Sequence, residues 1–124
     1  MGRTRSFDEA EVVASAAQQF RANGYEATSL DDLLRVTGLH RGSLYQAFGS
    51  KRGVFLAALT RTERDLDLLL VALLELAPSD DHVREICARS LRGLDAEDAA
   101  QMLGERLLGR AHVTLSAAIE GEDQ

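Results

Sequence analysis

Between positions 30 and 48 the chain has room for two helical segments and only three residues, Gly38-Leu39-His40, to join them. A glycine in so short a connection supplies the left-handed backbone that ends one helix and turns the chain sharply into the next. Leu30, Leu33 and Leu34 recur on one side of the first segment (30–37), and Leu44 and Phe48, four apart, on one side of the second (41–48). Two short helices around such a turn cannot bury their apolar sides against each other alone and need a covering helix. The preceding residues supply one. Asp8 is placed to cap it with Glu11 three residues on, in a capping box flanked by the Phe7 and Val12 staple. Val12, Val13, Ala16, Ala17 and Phe20 then form one apolar face, and Gly24 is expected as a left-handed stop. A covering helix followed by a tight pair is the helix-turn-helix arrangement.

The rest of the chain continues in the same register. Proline occurs once, at position 78, and β-branched residues are sparse, so the fold class is all-α. Thr28-Ser29 are candidate caps for the second helix, with Asp31 and Asp32 favouring its dipole. From Lys51 a single long helix is expected to run to Ala77, apolar on nearly every side between Leu66 and Leu76. Pro78-Ser79-Asp80 turns into a helix over about 81–92 closed by Gly93. A last helix, capped by Asp95 with Asp98, carries the stripe Leu103, Leu107, Ala111, Leu115 and Ile119, thinned by Gly104, Gly109, Ala117 and Ala118. The expected organisation is a helix-turn-helix domain over 1–50 and, over 51–124, the long helix with a small helical dimerisation or reduced effector region. Too many leucines point around the long helix for two short neighbours to cover, which predicts a two-fold partner.

Charge is divided unevenly. Residues 1–62 hold eight Lys/Arg against six Asp/Glu, whereas the remainder holds six against fourteen. The acidic net charge of −6 therefore hides a basic half suited to an anionic partner. The single cysteine, Cys87, excludes an intramolecular disulfide and a cysteine-based zinc site, and its apolar neighbours predict a buried thiol. His82 and His112 have no metal-ligand spacing, and no Ser, His and acid group into catalytic machinery, so neither enzyme activity nor a cofactor is expected. The Arg-bearing N-terminus has no apolar core of a secretory signal, Gly2 with Ser6 reads more simply as a terminal arm than as a myristoylation site, and a cytoplasmic protein off the membrane is expected.

The outward residues of segment 41–48 are small or hydrogen-bonding: Arg41, Gly42, Ser43, Tyr45 and Gln46. Arginine can grip guanine O6 and N7, glutamine can pair with adenine, and Gly and Ser let a backbone approach. Thr28, Ser29, Ser50 and Lys51 stand at helix N-termini, where anions are favoured. The run from Phe20 through Gly24-Tyr25 to Thr28-Ser29, and the run Gly38-Leu39-His40-Arg41-Gly42-Ser43-Leu44-Tyr45-Gln46-Ala47-Phe48-Gly49-Ser50-Lys51, closely resemble the corresponding stretches of TetR-family transcriptional regulators. The resemblance covers about residues 7–59. It implies phosphate contacts from Thr28, Ser29, Tyr45 and Lys51, base contacts from Arg41, Gly42, Ser43 and Gln46, and an Arg3/Arg5 arm in a flanking groove. It also implies a repressor acting as a homodimer on a palindromic double-stranded DNA operator, with a small-molecule effector allowed for. The rival reading is a protein-interaction module of the same fold that pairs with another regulator. Two features depart from the family pattern: His40 replaces the usual hydroxyl cap, and the chain after Leu59 is short for the family's effector domain.

Overall fold

The computed structural model describes residues 7–62 and 64–116, and within them the chain is helical with no strand. The Arg3/Arg5 arm, Ala117, Ala118, Ile119 and the tail lie outside the described residues. Two compact units divide at Arg92/Gly93, so the boundary expected at position 50 falls inside the first unit.

In the first unit, α1 (Glu9–Asn23) starts on Asp8, whose carboxylate accepts from the Ala10 N–H at 3.0 Å, and buries the expected face of Val12, Val13, Ala16, Ala17 and Phe20. Helix α2 (Leu30–Thr37) is capped by Ser29 and α3 (Arg41–Phe48) follows after the three-residue turn. Helix α4 (Lys51–Arg61), capped by Ser50, packs against α1 and α3. Phe20, Tyr25 and Phe55 meet where these elements converge, with Phe20 edge-on to Phe55 at 5.0 Å and Tyr25 edge-on to it at 5.3 Å. Phe55 and Phe20 are fully buried, as is Leu44, but Phe48 is only half-buried.

The long helix expected over 51–77 is broken. Helix α4 ends at Arg61, Thr62 turns extended, Arg64 takes a positive φ of 43°, and a new helix α5 (Leu66–Val71) begins on Asp65. Two bonds of Asp65, one local and one to a distant helix, account for the break. The Asp65 carboxylate accepts from the Leu68 N–H at 3.1 Å and pairs with Arg21 of α1 at 2.7 Å, so the same acid caps α5 and ties it to the first helix. A continuous helix would forfeit both bonds. Helix α5 runs on into a π-helical turn (Ala72–Leu76) and a 3₁₀ turn (Ala77–Ser79).

Helix α6 (Asp81–Ser90) packs on those turns and buries Val83, Ile86 and Cys87. Burial raises the Cys87 thiol above its ordinary pKa. The leucine-rich segment is thus largely covered within one chain: Leu68, Leu69, Leu70, Val71, Ala72, Leu76 and Ala77 are buried, Leu73 is half-buried, and only Leu74 stands out, 64% exposed. The expectation that this segment needs a partner is corrected accordingly.

The second unit holds α7 (Ala96–Arg110), started by Asp95, whose carboxylate accepts from the Asp98 N–H at 2.8 Å. None of its residues is buried, and Leu107 and Leu108 are exposed. The helix stops at Arg110, after Leu103 and Leu107 of the expected stripe, and the chain turns through His112 at a positive φ of 63°. Leu115 is therefore not on the helix.

Candidate nucleic-acid interface

The turn between α2 and α3 is built by short-range bonds. Gly38 adopts the left-handed conformation (φ 76°, ψ 6°) and donates to the Leu34 carbonyl. The Thr37 hydroxyl donates to the Leu33 carbonyl at 2.6 Å and accepts from the Leu39 N–H, locking the exit of α2. At its other end α2 has a full capping box. The Ser29 hydroxyl accepts from the Asp32 N–H and the Asp32 carboxylate from the Ser29 N–H, both at 2.9 Å. These bonds, with Arg35 alongside, hold the Asp32 carboxyl below its usual pKa.

With Leu33 and Leu44 fully buried, α3 presents its opposite side outward. Arg41, Gly42, Tyr45 and Gln46 are exposed there and Ser43 is half-exposed. Nothing lies within 4 Å of where a Gly42 side chain would begin, so internal packing does not demand this glycine. His40 occupies the N-cap of α3 without a side-chain bond, as its departure from the usual hydroxyl suggests. The Arg41 guanidinium reaches back to Asp31 of α2 at 2.9 Å, with both partners solvent-exposed.

Two of the expected phosphate contacts have different surroundings. Thr28 is fully buried and its hydroxyl donates to the Gly24 carbonyl at 2.7 Å, so this side chain fixes the α1–α2 loop and is not available to a ligand. The reason is positional: Ser29 takes the cap, and the residue before it faces inward. Lys51 donates to the Tyr25 and Thr28 carbonyls at 2.9 and 3.0 Å and lies 4.2 Å from the centre of the Tyr25 ring. Its charge is thus anchored on the loop that feeds α2. The ring beneath it is partly buried, which raises the Tyr25 pKa. Ser29 remains exposed, and its hydroxyl, having only accepted a bond, keeps a proton to donate.

The contacts of Glu75, the close approach at Gly53 and the pairing of the cap residue Asp80 with Arg52 escape a reading of the sequence. Glu75, on the π-helical turn, accepts from the Tyr25 and Glu26 N–H groups at 3.1 and 2.8 Å. Its other oxygen would lie 2.6 Å from any side chain on Gly24, which adopts φ 86° and ψ 179°. The expected left-handed stop is corrected to this more extended, essentially glycine-only backbone. Gly53, in the first turn of α4, gives way to the Phe48 carbonyl oxygen, which a Cβ there would strike. Asp80 takes a two-pronged bond from Arg52 at 2.9 and 3.1 Å while capping α6, and these bonds pull its carboxyl down to about 2. A lone acid in an apolar run, and a glycine inside a helix, were the only signals available for Glu75 and Gly53.

Residues 12–58 match the model of the family described as "Bacterial regulatory proteins, tetR family". Similar proteins include an uncharacterized HTH-type transcriptional regulator, YezE of Bacillus subtilis (strain 168), 50% identical over 58 residues covering 47% of this chain and 30% of that protein. The HTH-type transcriptional repressor ComR of Escherichia coli (strain K12) is 43% identical over 60 residues, 48% of this chain and 29% of the relative. A second repressor of that organism, BdcR, is 37% identical over 54 residues, 44% of this chain and 27% of its own. The matched stretch thus spans less than a third of each relative. No solved structure gives a significant match.

Proposed function

On the premise that residues 12–58 are a helix-turn-helix domain of the tetR family of bacterial regulators, we propose that this chain is a transcriptional repressor that reads duplex DNA with α3 and works as a homodimer on a palindromic operator. The observation that carries the reading is the exposed face of α3, with Arg41, Gly42, Tyr45 and Gln46 outward and Leu44 locking the opposite side. In this reading Arg41, Ser43 and Gln46 address base edges in the major groove, and Gly42 lets the helix backbone come close. Tyr45 and Ser29 offer hydroxyls to phosphates, and Lys51 contributes positive charge from its fixed seat on the loop. Both relatives with an assigned activity carry the word repressor in their names, which favours repression over activation.

The homodimer is supported by the second unit. No residue of α7 is fully buried, and Leu107, Leu108, Val113 and Leu115 are exposed, an arrangement that a second copy would cover. Two recognition helices related by a two-fold axis would then reach half-sites one helical turn or a multiple apart, about 34 Å per turn. Selection of bound duplexes from a random pool tests the function. The expected product is an inverted repeat with regular spacing; a pool that stays random after enrichment contradicts sequence-specific binding. Sedimentation should show a particle of twice the 13.5 kDa chain, lost on Leu108→Glu.

A further inference from the structure

Among the described residues of the first unit, six arginines meet a carboxylate and three, Arg64, Arg89 and Arg92, do not. Arg21, Arg35, Arg41, Arg52, Arg61 and Arg84 each meet a carboxylate. Arg64 and Arg89 have no carboxylate partner among the described residues; Arg64 reaches only the Arg92 carbonyl, at a long 3.4 Å. Both line one cavity of about 390 Å³ between the end of α4 and the last turns of α6. Its remaining walls are Leu59 and Ile86, both nearly fully buried, and the hydroxyl residues Thr60, Thr62 and Ser90. The chain half that contains Arg64 and Arg89 carries fourteen acids against six bases, so two unpaired guanidiniums in one groove run against the local composition.

Arg64 adds a second, independent observation. It holds a positive φ of 43°, a conformation that costs a non-glycine residue energy and persists where surrounding structure imposes it. The strain sits at the residue that supplies one of the two cations. Asp65 lines a separate, much smaller cavity that shares Leu59, Thr62, Arg64 and Ser90 with this one, and its carboxylate is already engaged by Arg21 and the Leu68 N–H. The Thr60 and Thr62 hydroxyls donate to the Leu56 and Ala58 carbonyls, which leaves the guanidiniums as the principal donors.

We propose that this groove is a binding site for a small organic anion, with its carboxylate held between Arg64 and Arg89 and its apolar body against Leu59 and Ile86. Guanidinium forks match a carboxylate with two parallel bonds, and the volume lies in the range of small-molecule sites. The site specifies the effector allowed for in the repressor reading. An occupant would rest on α4, whose first turn carries the Phe48 carbonyl of α3 against Gly53, so that its regulatory consequence, though not its binding, rests on that reading.

The test therefore contains no DNA. Thermal unfolding and calorimetric titration of the full chain are measured with acetate, butyrate, benzoate and, as a neutral shape control, benzamide. Stabilisation should rise from acetate to butyrate and benzoate as the apolar body grows, and benzamide should give none. Arg64→Gln or Arg89→Gln should weaken benzoate binding about tenfold or more, each removing a charge-assisted pair. Arg61→Gln, which alters a paired arginine on α4, should leave it unchanged. Absence of binding by all three anions, equal binding of benzamide, or unaltered affinity in Arg64→Gln and Arg89→Gln would overturn the site.

Discussion

Helices α3 and α7 teach opposite halves of one lesson. Helix α7 has fifteen residues and a well-made N-cap from Asp95, yet buries none of its side chains. Helix α3 has eight residues and a cap position, His40, that makes no side-chain bond, yet Leu44 is fully buried. A capping bond is worth about 1 kcal/mol, whereas burying one leucine contributes about 1.5–3 kcal/mol. Caps therefore mark where a helix begins, and burial decides whether it is held. Helix α3 is held by burial within its own chain, whereas no residue of α7 is fully buried.

The sharpest way to break that contrast is truncation at equivalent leucines. Leu44→Ala should cost about 2–5 kcal/mol in urea unfolding, as for a core leucine. Leu107→Ala should stay within about 0.5 kcal/mol in the monomer at high dilution. A large, concentration-independent loss at Leu107 would mean that α7 is held within one chain.

Next in size are the glycines that carry backbone constraints. Gly24→Val should destabilise by at least about 2 kcal/mol, because it combines a forbidden backbone with displacement of Glu75 from two N–H groups. Gly53→Ala should cost a comparable amount by pushing away the Phe48 carbonyl at the end of α3. Differential scanning calorimetry checks both, and a neutral Gly53→Ala would show that the α3–α4 junction is soft.

A smaller effect is expected at Glu75. Glu75→Gln keeps an acceptor for the Tyr25 and Glu26 N–H groups but loses the charge, for about 1 kcal/mol. The loss should be visible as faster amide exchange at Tyr25 and Glu26. Unchanged exchange there would remove Glu75 from the support of the loop.

The smallest concerns acid. Asp80 is held at about 2 in the folded chain against an ordinary 3.8, chiefly by Arg52. A depressed carboxyl contributes stability that is complete above its unfolded pKa and lost as pH falls through the folded one, here from about 4 down to about 2. Asp80→Asn should flatten part of the acid limb of the urea midpoint against pH. An identical limb in the variant would place the acid sensitivity elsewhere.

Much of the helix-turn-helix unit was legible because its determinants are close in sequence: Ser29 with Asp32, Gly38 with Leu34, Leu44 in its helical register. What escaped was non-local. Asp65 breaks the expected long helix because Arg21, far away in sequence, waits for it. Glu75 holds the Tyr25 and Glu26 N–H groups, next to Gly24, from the far half of the chain. Hydroxyl chemistry at a helix start does not reveal which of two adjacent residues, Thr28 or Ser29, faces inward. The leucines of 66–76 do not lie on one straight helix: a π turn and α6 bring most of them under cover.

Under the proposed function α3 reads bases while its supports supply charge and shape. The affinities of Gln46→Ala, Arg41→Ala and Lys51→Ala for the selected duplex and a scrambled one, across a salt series, decide it. Gln46→Ala and Arg41→Ala should lose about 1–3 kcal/mol on the selected duplex and little on the scrambled one. Lys51→Ala should weaken both alike and lower the salt dependence by about one ion. Equal losses on the two duplexes for Gln46→Ala and Arg41→Ala would contradict base reading by α3.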